Sequence, residues 1–86
     1  MMALESDMPR RRRERINQPS YLQAGDVVEV HIERRYLQFT VLYAQEHADG
    51  ERQTVTASAP GLGSCSFEWP WGRDTKGRRY YFVRRP

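Results

Sequence analysis

The stretch that decides the fold is Gly25-Asp26-Val27-Val28-Glu29-Val30-His31-Ile32-Glu33-Arg34-Arg35-Tyr36-Leu37-Gln38-Phe39-Thr40-Val41-Leu42-Tyr43. Its first half alternates strictly. Val28, Val30 and Ile32 fall on one face, and Glu29, His31 and Glu33 on the other. Period two is the signature of a half-buried strand. The second half alternates as well, with Leu37, Phe39, Val41 and Tyr43 on the apolar face. The apolar parity is even up to Ile32 and odd from Leu37, which one regular strand does not allow. The chain must therefore turn or bulge at Glu33-Arg34-Arg35, and a turn between two antiparallel strands is the reading adopted.

Working outward, Gly25-Asp26 reads as a turn into the first strand. The second strand runs from Tyr36 to Gln45. Ala48-Asp49-Gly50 then leads to a third strand, Arg52 to Ala57. Asp-Gly between strand-like runs is a hairpin signal. A three-residue loop at 48–50 sets Tyr43 opposite Val55 and Val41 opposite Ala57, with Gly50 in the left-handed position. The connector Ala59-Pro60-Gly61-Leu62-Gly63-Ser64 breaks regular structure. A fourth strand follows, with Cys65, Phe67 and Trp69 on one face. A polar loop over 70–77 precedes a fifth strand, Arg78 to Arg84. Five short strands in residues 21–86 predict a mostly β fold, a small five-stranded antiparallel barrel. An SH3-like barrel suits the spacing, while an OB-like barrel is the alternative; the segment 58–64 is too short and glycine-rich for the helix an OB-fold often carries.

Residues 1–20 read differently. Pro9 and Pro19 bracket the run Arg10-Arg11-Arg12-Arg13-Glu14-Arg15, and no apolar periodicity accompanies it. Such runs repel themselves and stay solvated, so a flexible basic arm is expected.

Composition narrows the function classes. At 86 residues the chain has room for one domain and a modest core. Cys65 is the single cysteine, and His31 and His47 are the only histidines. No internal disulfide forms from one thiol, and these three residues lack metal-ligand spacing, so neither metal nor cofactor is expected. No apolar run approaches membrane-spanning length, and no apolar core of a secretory signal stands at the N-terminus. An intracellular, cytoplasmic protein with no membrane contact is the expectation.

The formal charge of +3 is unevenly spread. Residues 1–20 hold five arginines against three acids. Residues 21–70 hold three arginines against seven acids. Residues 71–86 hold five arginines and one lysine against a single acid. Arginine forks onto phosphate and stacks on rings, although a GC-rich genome also raises its share.

The C-terminal segment interleaves cations with aromatics. Trp71, Arg73, Lys76, Arg78, Arg79, Tyr81, Arg84 and Arg85 are the candidate contacts for a nucleic acid or another partner. Cations that track phosphates and rings on which bases stack are what single-strand binders need. Small β folds also fill their cores with Trp, Tyr and Phe under arginine stems, so part of this set serves packing. Trp71, between Pro70 and Gly72 at a strand–loop junction, either anchors a partner or caps the sheet. Arg10, Arg11, Arg12, Arg13 and Arg15 of the arm would add affinity without specificity. The acids of the middle confine a polyanion to the C-terminal side.

Catalysis finds no support. Cys65 shares a face with Phe67 and Trp69 and reads as an apolar thiol. Glu29, His31 and Glu33 share a face without a nucleophile, as an ion-paired surface group. Gly61-Leu62-Gly63-Ser64 precedes a strand and has no lysine, so it is not a phosphate loop. The expectation is a non-enzymatic protein that binds RNA or DNA. The alternative is an interaction module for an acidic protein surface, or a self-associating assembly subunit.

Overall fold

The computed structural model describes residues 18–86. Residues 1–17 lie outside it, and the expected basic arm, Arg10 to Arg15, falls among them. The described chain is mostly β: β1 (Val27–Ile32), β2 (Arg35–Glu46), β3 (Gln53–Ala59), β4 (Gly63–Trp69) and β5 (Tyr80–Arg84). All neighbours are antiparallel, in a single five-stranded sheet of order β4-β3-β2-β1-β5.

The parity change between β1 and β2 has the anticipated cause. Ile32 pairs with Arg35, so Glu33 and Arg34 form a two-residue turn. Both carry positive φ, 49° and 68°, without a glycine between them. Left-handed φ at both central positions matches the twist of a tight hairpin. The register then sets Val28 against Phe39 and Val30 against Leu37.

The second hairpin departs from expectation. Its tip is longer: His47 N–H donates to Arg52 C=O at 2.8 Å, leaving Ala48 to Glu51 as a four-residue loop. Tyr43 pairs with Thr56 rather than Val55, while Val41 does pair with Ala57. Both pairings hold because the register slips between Val41 and Tyr43, at Leu42. A bulge consumes one residue on one strand only and flips the faces beyond it. Tyr43 is consequently turned outward, 58% exposed, and Ala44 takes the inward position.

The core is drawn from every strand. Val28 and Val30, Phe39 and Val41, Val55, Ala57 and Ala59, Phe67 and Trp69, and Tyr80 are buried, with Leu22 added from before β1. Phe67 stacks on Tyr80 with centroids 4.0 Å apart and meets Trp69 edge-on at 6.2 Å. Glu29 does not stay on a solvated face. It is 5% exposed, opposite Gln38 on one side and Tyr81 on the other.

β5 begins at Tyr80, not Arg78, because the turn before it claims 74–78. The fold also starts earlier than Tyr21. Gln53 makes a paired contact with Leu22, accepting its N–H at 2.8 Å and donating to its C=O at 3.0 Å. Gln18 treats Phe82 the same way, at 2.8 Å and 3.4 Å. Trp69 Nε1–H donates to Pro19 C=O at 3.1 Å. Each polar group here is buried only because its partner is present.

The two edge strands, β4 and β5, do not pair as strands. Isolated bridges at Glu68–Arg73 and Arg73–Arg79 span one end of the gap. The ladder is thus an open sheet with a partly bridged seam.

Candidate functional site

The segment between β4 and β5 is organised by one carboxylate. Asp74 Oδ1 accepts the N–H groups of Lys76 (2.9 Å) and Arg78 (3.0 Å). Its Oδ2 accepts Arg78 Nε (2.8 Å) and the Tyr80 hydroxyl (2.9 Å). Gly77 N–H closes the turn onto Asp74 C=O at 3.0 Å. Burial pushes the Asp74 carboxyl up, but the donors from Arg78, Tyr80 and Lys76 outweigh it and hold the group below its ordinary range. Burial, then Cys65 and Asp74, push the Tyr80 hydroxyl far up, so it stays a donor. Burial also raises the half-buried Cys65 thiol, which keeps it protonated and a poor nucleophile.

Gly72 aims the other half of the segment. Its φ is +78°, its N–H donates to Glu68 C=O, and its C=O accepts Tyr80 N–H. An added Cβ would stand 3.0 Å from Tyr80 O. With the backbone held on both sides, the preceding Trp71 projects outward and is 66% exposed, while Trp69 is buried to 2%.

Several hollows flank this hairpin among the described residues. One of about 550 Å³ lies along Ser66, Glu68, Trp71, Arg73 and Thr75. A second, about 340 Å³, lies among His31, Tyr36, Lys76, Arg78, Arg79 and Tyr81. A third, about 120 Å³, is lined by Gln18, Trp71, Arg79 and Tyr81; Trp71 also lines the first, and Arg79 and Tyr81 the second. His31 and Tyr36 stack across the β1–β2 hairpin with centroids 4.6 Å apart and planes 15° from parallel.

The eight C-terminal residues singled out in the sequence therefore separate. Trp71, Arg73, Lys76, Arg79 and Tyr81 line these neighbouring hollows. Among the described residues, none of Arg73, Lys76 and Arg79 has a salt-bridge partner. Arg78 lines the second hollow, but its Nε is bound to Asp74, which raises its pKa. Arg84 and Arg85 lie at the far end of β5, where Arg84 registers with Val27. Arg85 Nε and Nη2 hold the fully buried Asp26 at 2.8 and 2.9 Å.

His31 and Tyr36 join the site although the sequence does not mark them as binding residues. The alternating pattern shows that both leave the core, but only the β1–β5 pairing puts them beside Tyr81. The opposite hairpin holds a separate cluster. His47 Nε2 lies 3.0 Å from Glu68 Oε1 and 2.8 Å from Thr54 Oγ1, and Thr54 donates to Glu68 Oε2 at 2.9 Å. One histidine nitrogen serves both neighbours, so the base–orienter relay of a nucleophilic triad is not formed. Among the described residues there is no group of His, Cys, Asp and Glu able to hold a metal ion. No helix among them is long and apolar enough to cross a membrane.

Comparison with protein-family models, with curated proteins and with solved structures finds no match to this chain.

Proposed function

We propose that this domain binds single-stranded nucleic acid on the face built by the 71–81 hairpin and the β1–β2 turn. One observation carries the reading: Trp71, 66% exposed, lines one hollow with Arg73 and another with Arg79 and Tyr81, and these last two line a third with Lys76. Sequence-tolerant single-strand binding uses this pairing, rings for bases and cations for phosphates. The stacked pair His31–Tyr36 offers a second platform. Duplex DNA would leave these ring faces unused, because its bases are already stacked. The reading includes an SH3-like barrel, with residues 70–79 closing the seam between β4 and β5; the return of β5 to pair with β1 supports it.

Trp69 is buried, so a change in tryptophan emission on titration reports mainly on Trp71. A single-stranded oligonucleotide is expected to quench it, and the affinity to fall steeply with added salt. With the cations of Arg73, Lys76 and Arg79 at the face, the slope of log K against log salt is about −2. Trp71→Ala and the pair Lys76→Ala with Arg79→Ala should each weaken binding while leaving the thermal transition in place. Unchanged affinity for RNA and DNA in these variants sinks the proposal. Retention of a protein partner after nuclease treatment would favour an acidic protein surface instead.

A further inference from the structure

The two edges of the sheet are treated differently. On β5, Tyr80 N–H is taken by Gly72 C=O, and both backbone groups of Phe82 are taken by the Gln18 side chain. On β4, among the described residues, only Glu68 is taken, with its N–H on Arg73 C=O (3.0 Å) and its C=O on Gly72 N–H (2.6 Å). Backbone direction alternates along an antiparallel strand, so Ser64 and Ser66 aim their N–H and C=O groups the same way as Glu68. No partner meets those groups among the described residues. Gly63-Ser64-Cys65-Ser66 also carries no charge, proline or bulge, the usual devices that close an edge.

The surroundings of that edge are cationic. A hollow of about 220 Å³ lies beside Ser64 and Cys65, lined by Leu62, Leu37, Arg35 and Arg78. Arg73 stands beside Ser66 in the larger groove. The nearby acids are engaged: Glu68 by His47 and Thr54, Asp74 by Arg78 and Tyr80. From this geometry we infer that the β4 edge at Ser64–Ser66 is a docking site for an extended acidic peptide, which adds to the sheet as a sixth strand. Backbone pairing supplies the hydrogen bonds, and carboxylates answer Arg35 and Arg73, since Arg78 is already held by Asp74. A second copy of the chain fits less well, because its own Gly63-Ser64-Cys65-Ser66 edge brings no carboxylate to Arg35 and Arg73. A polynucleotide lacks amides at strand spacing. The inference is independent of the Trp71–Tyr81 face, although Arg73 and Arg78 border both.

The test uses the full chain, isotopically labelled, and the peptide acetyl-Glu-Val-Glu-Val-Glu-Val-amide. Its titration should shift the Ser64 and Ser66 amides and slow their exchange. Ser66→Pro removes an outward-facing N–H and fixes φ at that residue, a replacement that edge strands tolerate, and should weaken binding about tenfold or more. The same peptide with N-methyl groups on the amides facing β4 should lose binding to the unaltered protein, which tests pairing without any risk to folding. Arg35→Glu, or lysine for glutamate in the peptide, should also weaken it. No binding at millimolar peptide overturns the inference. So do shifts centred on Lys76, Arg79 and Tyr81, equal binding by the N-methylated peptide, or full affinity in a folded Ser66→Pro protein.

Discussion

Arg85, the penultimate residue, holds Asp26 across the fold with two hydrogen bonds, Nε to Oδ1 at 2.8 Å and Nη2 to Oδ2 at 2.9 Å. Asp26 is fully buried and also accepts Gln23 N–H at 2.9 Å, while Arg85 lies over the rings of Tyr21 and Phe82. The pair ties the residues just after β5 to the entry of β1. A basic residue that reads as a phosphate contact in the sequence is thereby committed to the fold.

In Asp26→Asn one carboxylate oxygen becomes an NH2 that faces donors from Arg85 or Gln23, and the guanidinium loses its counter-charge. Asp26→Asn is expected to destabilise the domain by about 2–3 kcal/mol in urea unfolding. Arg85→Ala should lower the urea midpoint as well, and Arg85→Lys should recover it only in part, since lysine lacks the fork. Arg84→Ala, at an exposed neighbouring position, should leave the midpoint in place.

Asp74 makes stability depend on acid. Its carboxyl titrates below the ordinary value of 3.8 in the folded chain. A depressed carboxylate contributes stability that is fully present above its unfolded pKa and is lost as pH falls through the folded one. The wild-type chain should therefore lose stability between about pH 5 and about pH 3 more steeply than Asp74→Asn, which has no proton to take up there. Urea midpoints of both proteins across that window check the sign; parallel curves would remove Asp74 as the cause.

The β1–β2 turn places two side chains in a backbone region that favours glycine and asparagine. Glu33→Asn with Arg34→Gly keeps the turn and relieves the left-handed strain at φ 49° and 68°. A gain of about 1 kcal/mol is expected, read as a higher melting temperature. A loss would mean that the side chains of Glu33 and Arg34 contribute more than their backbone costs.

Gly72 and Gly61 both sit at positive φ, 78° and 77°, but only Gly72 faces a backbone oxygen at 3.0 Å from an added Cβ. Gly61→Ala should cost about 1 kcal/mol, from backbone strain alone. Gly72→Ala should cost about 2–3 kcal/mol, because Tyr80 is held in the core and gives little. It should also alter Trp71 emission, since the altered joint aims that ring. Equal losses at the two sites would show that the Tyr80 contact relaxes freely.

Alternation and parity in 25–43 by themselves determine that the chain is mostly β, that Val28, Val30, Phe39 and Val41 face inward, and that the chain turns or bulges within Glu33-Arg34-Arg35. These are local consequences of a two-residue period and need no knowledge of distant partners. The bulge at Leu42 is not legible in the sequence, because a slip of one residue is decided by how β2 and β3 settle against each other. Alternation alone misplaces Tyr43 for that reason. The open seam between β4 and β5 and the uncapped edge at Ser64–Ser66 come from strand order, which no single segment encodes.

The candidate site divides in the same way. Its chemistry, arginines and lysine among aromatics in 71–85, stands in the sequence. Which of them are free does not, because a cation is defined by its partner. Asp74 is four residues from Arg78 and Asp26 is 59 residues from Arg85, yet both pairs are close contacts. Tertiary pairing bound those two arginines to carboxylates and left Arg73, Lys76 and Arg79 free of such partners among the described residues. It also brought His31 and Tyr36, from the acidic middle of the chain, to their side.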